Sequence, residues 1–216
     1  MEDKLRKLII RSAEFDQAIS ILLSHVKTPH IPKCRLTKAM AGISLEHADS
    51  IRMLVYAKNF TSAFALLRMQ FETTARTIWL FYAADNEYID KHDSPLTLEE
   101  DGYKDGPIID VLLKDLKTNS NVPRQAYHMV AEFKSESWRA LGSYIHGGKH
   151  PLKRKQDGYP VHLLTTISQH STGLLIMAAM TVIAMSGDQK LADEFWKLQN
   201  EYKDCLPPYI PKPPVN

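Results

Sequence analysis

The amino-acid sequence predicts an all-α protein, a helical bundle of five to seven helices, and three observations carry that expectation. Apolar residues recur at helical spacing through most of the chain. No stretch alternates with the two-residue period of a strand, and no internal repeat is present. The run from Phe60 to Tyr82 is apolar on every side, as expected of a helix enclosed by its neighbours.

Each element follows from local pattern. Leu5, Leu8, Ile9, Phe15, Ala18, Ile19 and Leu22 form a stripe within Glu2 to Lys27, and the prolines of Thr28 to Pro32 end it. Thr37 is the expected cap of a second helix reaching Lys58, with Met40, Ile43, Ile51 and Leu54 turned inward. Asn59 or Thr61 starts the central helix, which ends near Asp85 and Asn86. The polar stretch from Asn86 to Gly106, holding Asp93, Glu99, Glu100, Asp101 and Asp105, reads as a surface excursion with short helical pieces. Helical spacing returns at Ile108 to Leu116, Val122 to Phe133 and Ser137 to His146. Gly147 and Gly148 stop that segment, and Lys149 to Pro160 reads as a basic loop. A long apolar helix from Val161 to Met185 follows, then Ser186-Gly-Asp188 and a last helix with Leu191, Phe195, Leu198 and Tyr202. The expected organisation is one helical domain over 1–206 and a proline-rich tail over 207–216.

Composition narrows the function classes. A net charge of +2 over 216 residues does not by itself mark a nucleic-acid binder, so any such activity rests on a local patch. Cys34 and Cys205 stand without a CxxC pairing, so neither a metal site nor a disulfide framework is expected. No cofactor is expected either. The opening Met-Glu-Asp-Lys lacks a signal-peptide pattern, and the apolar run Gly173 to Met185 is shorter than the ~20 residues of a bilayer span. The expectation is a cytoplasmic protein with no membrane contact.

Two constellations carry chemistry. Arg68, Glu72 and Arg76 stand four residues apart, one ridge on the apolar central helix. Either Arg68 and Arg76 grip a phosphate with Glu72 orienting one of them, or the three form an internal salt-bridge network. The second constellation is Trp138 to Gly148. Arg139, Gly142, Ser143 and His146 share one helix face, and about 10 Å of rise separates Arg139 from His146. Gly142 and Ser143 leave that face shallow enough for a ligand or another helix. On residue chemistry alone, His146 reads as a C-cap histidine beside a tight turn.

This arrangement resembles the HEPN superfamily of helical bundles, whose hallmark is an arginine, four to six residues, then a histidine. Arg139 and His146 have six residues between them. Leu141-Gly-Ser-Tyr-Ile-His-Gly-Gly148, with Arg68, Glu72, Arg76 and Trp79 upstream, is similar to bacterial helical families allied to HEPN. The resemblance spans roughly Phe60 to Pro151. It implies a metal-independent endoribonuclease of toxin–antitoxin or anti-phage defence type, acting on RNA as a homodimer and controlled by a cognate antitoxin or regulatory protein. His146 and Arg139 would be catalytic, with Arg76 and Glu72 supporting them. Arg68, Ser143, Tyr144, Lys149, Lys153 and Arg154 would contact substrate. Two positions depart from the pattern: Ala140 follows the arginine where a polar residue is common, and Gly148 replaces a tyrosine that some members carry. The alternative is a non-enzymatic interaction, regulatory or nucleotide-sensing protein whose ladder is structural. His47 reads as a hydrogen-bonded core histidine, held in reserve as a second site histidine.

Overall fold

The computed structural model describes residues 2–95 and 106–208. The acidic positions Glu99, Glu100, Asp101 and Asp105, and most of the proline-rich tail, lie outside the described residues. Among the described residues the chain forms nine α-helices, a short 3-10 turn at Lys203–Cys205 and no strand. Nine exceeds the expected five to seven because short polar stretches read as connections are helices of their own.

Helix α1 (Glu2–Ser24) buries Leu5, Ile9, Ser12, Phe15 and Ile19 at spacings of three and four. It stops short of Lys27. Helix α2 (Pro32–Tyr56) begins at a proline, whose missing N–H costs nothing at a first helical position. Thr37 is therefore no cap: it lies inside α2, fully buried, and donates to the Lys33 carbonyl at 2.8 Å. The core face of α2 is Cys34, Thr37, Ala41, Ser44, Ala48, Ile51, Arg52 and Val55. Ile43, expected inside, is exposed, because the face is rotated by about one residue from the apolar stripe.

Helix α3 (Phe60–Tyr82) is the central element and packs against α2, α8, α6 and α5. Helix α4 (Asn86–Asp93) is capped by Asp85, whose carboxylate accepts from the Tyr88 N–H at 2.8 Å. Helix α5 (Ile109–Thr118) follows the segment outside the described residues. Helix α6 (Arg124–Ile145) is continuous where two helical pieces were expected. Lys149–Asp157, expected to be a loop, is helix α7.

Helix α8 (Val161–Ser186) is 26 residues long and apolar enough to span a bilayer, longer than the greasy run suggests. Most of its apolar stretch is buried against α1, α2 and α3, which is the position of a core helix. Gly187, at φ +65°, ends α8 in the left-handed region, and Asp188 caps helix α9 (Gln189–Glu201). One lobe of the core surrounds Phe71 and Leu112 between α3, α5 and α6. The other surrounds Phe15 and Ala178 between α1, α2, α8 and α9.

Polar groups join the two lobes. Gln70, fully buried on α3, donates to the Ser171 carbonyl at 2.9 Å and accepts from the Ser171 hydroxyl at 2.7 Å. Ser44 and Thr74 share a hydrogen bond of 2.7 Å beside them. Buried amides and hydroxyls satisfied in this way fix the register of α2, α3 and α8 against sliding.

Candidate functional site

The exit of α6 is built by three consecutive devices. The Gly148 N–H donates to the Ser143 carbonyl at 2.8 Å, the His146 N–H donates to the Gly142 carbonyl, and Gly147 takes φ +62°. This is a glycine-terminated helix end, in which the left-handed residue lets the chain fold back onto its own last turn. Ser143 then serves the next helix: its Oγ accepts from the His150 N–H at 3.1 Å, in the first turn of α7. A Cβ on Gly148 would stand 2.6 Å from that oxygen, so a side chain there would displace the Ser143 hydroxyl. Capped from α6 and carrying Pro151 in its first turn, the basic stretch becomes a helix.

Arg139 and His146 lie on one ridge of α6 and both are exposed. Neither side chain forms a hydrogen bond or ion pair with any described residue. Beside them on α7, Lys149, His150, Lys153 and Arg154 line a shallow concavity of about 280 Å³. Lys153 also pairs with Asp157 at 3.2 Å. The result is an open, cationic face with an imidazole at its edge.

The Arg68–Glu72–Arg76 ridge does not act as a unit. Arg68 is mostly buried and turned toward α6. Its Nε donates to Glu72 Oε1 at 2.9 Å, its Nη1 donates to the Trp138 carbonyl at 3.1 Å, and its guanidinium carbon lies 3.0 Å from the Trp138 ring centroid. A Cβ on Gly142 would stand 2.8 Å from Nη1. The gap left by Gly142 is thus filled by the chain's own Arg68, and no room remains there for a ligand. Arg68, expected to contact substrate, and Glu72, expected to support catalysis, brace α3 against α6. Arg76 points the other way, toward Gly106 and the Tyr88 hydroxyl, and forms no hydrogen bond or ion pair with a described residue.

Ser143 and Tyr144 are likewise committed inside the fold. The Tyr144 ring is buried and stacks on Phe64 at 4.6 Å, and burial pushes its phenol up to about 12. His47 is half-buried, and burial pushes its imidazole down. It makes no hydrogen bond with a described residue, unlike the bonded core histidine expected from its position. Among the described residues no group of three or more His, Cys, Asp or Glu is placed to hold a metal ion.

Two features escape a reading of the sequence. Arg52, with its side chain 7% exposed, is buried between α1 and α2, where it pairs with Asp16 and, at 3.1 Å, with Asp49. Burial pushes the Asp16 carboxyl up, against the pull of Arg52. The i,i+3 spacing of Asp49 and Arg52 is visible in sequence, whereas the partner on α1 is not. The second is a basic hollow at the turn between α1 and α2, lined by Lys27, His30, Arg35 and Lys38. Three cations and a histidine around two prolines were its one available signal.

Fold and surface together define an all-α bundle whose most chemically equipped face is the cationic end of α6 and α7. The chain belongs to a family of unknown function, DUF6988, whose model matches residues 41–208, from within α2 to the end of the described chain. No curated protein and no solved structure matches it.

Proposed function

We propose that this protein is a HEPN-like, metal-independent endoribonuclease that acts in the cytoplasm as a toxin or anti-phage effector. The observation that carries the reading is the pairing on α6 of Arg139 and His146, both exposed and neither held by another side chain. A structural arginine in this fold looks different, as Arg68 and Arg52 demonstrate: each is largely buried and held by carboxylate or carbonyl acceptors.

In this reading the cations of α7 collect RNA phosphates, a contribution that weakens as salt rises. His146 takes the proton of a ribose 2'-hydroxyl as that oxygen attacks phosphorus, or gives a proton to the departing 5'-oxygen. Arg139 stabilises the charge gathering on the phosphate. The face is open rather than cleft-like in one protomer, which fits a homodimer in which two such ridges enclose the RNA. A cognate antitoxin or regulatory protein would then act by covering the same face. Arg76 stays a supporting candidate, whereas Arg68, Glu72, Ser143 and Tyr144 act through positioning alone.

The test is RNA cleavage in EDTA by the parent chain, Arg139→Ala and His146→Ala. Both variants lose cleavage while melting within a degree or two of the parent, because exposed unpaired side chains contribute little to stability. Intact RNA with the parent chain, or cleavage that survives both substitutions, refutes the assignment. The protein would then be an interaction module.

A further inference from the structure

We propose a second anion site in this protein, at the turn between α1 and α2, built for a small compound carrying a diphosphate or triphosphate group. It lies at the opposite end of the bundle from the α6–α7 face. Tyr144 of α6 stacks on Phe64 near the start of α3, whereas Arg35 of α2 pairs with Asp93, beyond the end of α3. About 25 Å of helix separates these two ends. The proposal is therefore independent of the ribonuclease reading, and it moves nucleotide recognition away from Arg68, which is committed to α6.

The hollow has a volume of about 380 Å³, within the range of small-molecule sites. Lys27, Arg35 and Lys38 bring three fixed positive charges to its wall, and His30 and the Thr28 hydroxyl add further donors. Among the described residues no carboxylate lines it. Asp93 accepts from the Arg35 Nη2 at 2.5 Å and leaves the remaining guanidinium donors to the hollow. Lys38 Nζ is tethered to the Val26 carbonyl at 3.4 Å, which keeps its ammonium at the rim.

The start of α2 adds to this field. It has no side-chain cap and no acidic residue in its first turn, so no residue of α2 itself opposes the positive end of the helix dipole. Three cations gathered this closely repel one another in the empty state, and one ligand with two or more charges relieves that repulsion. A diphosphate matches the number and spread of donors better than a single carboxylate does. Val26 and Pro29 supply an apolar wall for a ring attached to the phosphates.

Titration calorimetry on the full chain with ATP, inorganic pyrophosphate and adenosine tests the site. ATP and pyrophosphate bind and adenosine does not. The double variant Lys27→Ala/Lys38→Ala weakens both by about tenfold or more, as expected for lost charge-assisted contacts. Arg139→Ala and His146→Ala leave the affinities unchanged. Lys27 and Lys38 are exposed, so the double variant keeps the parent's melting temperature. No heat from ATP or pyrophosphate at millimolar concentration overturns the proposal. So does equal binding of adenosine, or affinity that survives the double variant.

Discussion

Replacing Arg68 with alanine removes three interactions at once, and the structure allows each to be weighed. The hydrogen bond from Nη1 to the Trp138 carbonyl comes from a charged, mostly buried donor, a class worth about 1.5–3 kcal/mol. Stacking of the guanidinium on the Trp138 ring contributes about 0.5–2 kcal/mol. The pair with Glu72 counts for about 0.3–0.5 kcal/mol, because that carboxylate is 38% exposed and water screens it. These terms share one side chain and do not add fully, so the expected loss is about 2–4 kcal/mol. Arg76→Ala, which breaks no internal bond among the described residues, costs less than about 1 kcal/mol. Urea unfolding followed by far-UV circular dichroism measures both variants, with an unchanged slope confirming that the same transition is compared. An Arg68→Ala variant within about 0.5 kcal/mol of the parent, or one less harmful than Arg76→Ala, would falsify the bracing role.

Asp16→Ala leaves Arg52 buried with only the exposed Asp49 as partner, and the expected loss is about 3 kcal/mol or more in the same unfolding assay. Adding Arg52→Met to it restores much of the stability, and a double variant as unstable as Asp16→Ala would contradict this account. Ser143→Ala removes the cap of α7 and costs about 1 kcal/mol. Faster hydrogen exchange confined to the first turn of α7 is its signature, and unchanged exchange there counts against the capping role. Tyr144 gives a pH prediction whose sign follows from burial. Its folded phenol titrates at about 12, above the usual 10, so the neutral form is favoured in the folded state. The associated stability is complete below pH 10 and is lost as pH rises toward 12, so Tyr144→Phe makes the decline of stability in alkaline unfolding curves shallower than the parent's.

The match to a family of unknown function covers the stretch on which the sequence resemblance to HEPN rests, and it shows no link to that superfamily. The match spans 41–208 and so includes the ridge of α3, the whole of α6 and the basic α7. It leaves α1 outside, although α1 supplies Asp16 to the buried pair with Arg52 and the turn that walls the second anion site. The α6–α7 face and the α1–α2 hollow therefore rest on different parts of the chain. The two proposed functions are expected to separate by mutation.

Helical class was legible because it depends on local periodicity. The spacing of Leu5, Ile9 and Phe15 and the stop at Gly147 each act over a turn or two and are borne out. The apolar run Phe60 to Tyr82 is the central helix, although Met69, expected inside, is half exposed. Helix boundaries failed where a distant group decided them. The stretch Lys149–Asp157 looks like a loop until Ser143, on the preceding helix, offers its hydroxyl to the first turn. The face of α2 was misjudged for a related reason. Small and polar residues, Ala41, Ser44 and Ala48, fill the tight contact with its neighbours while the larger Ile43 is left outside.

By itself the sequence determined the helical class, the central position of α3, and the gathering of Arg139, His146 and the α7 cations along one short stretch. Only the tertiary structure decided which charges are consumed and which are free. Arg68 and Arg76 share a ridge and a residue type, yet one is locked against Trp138 and the other is not. The physical reason is that a cation's role depends on the acceptors and rings that a neighbouring helix brings within a few ångströms. Those neighbours are chosen by packing between segments far apart in the chain.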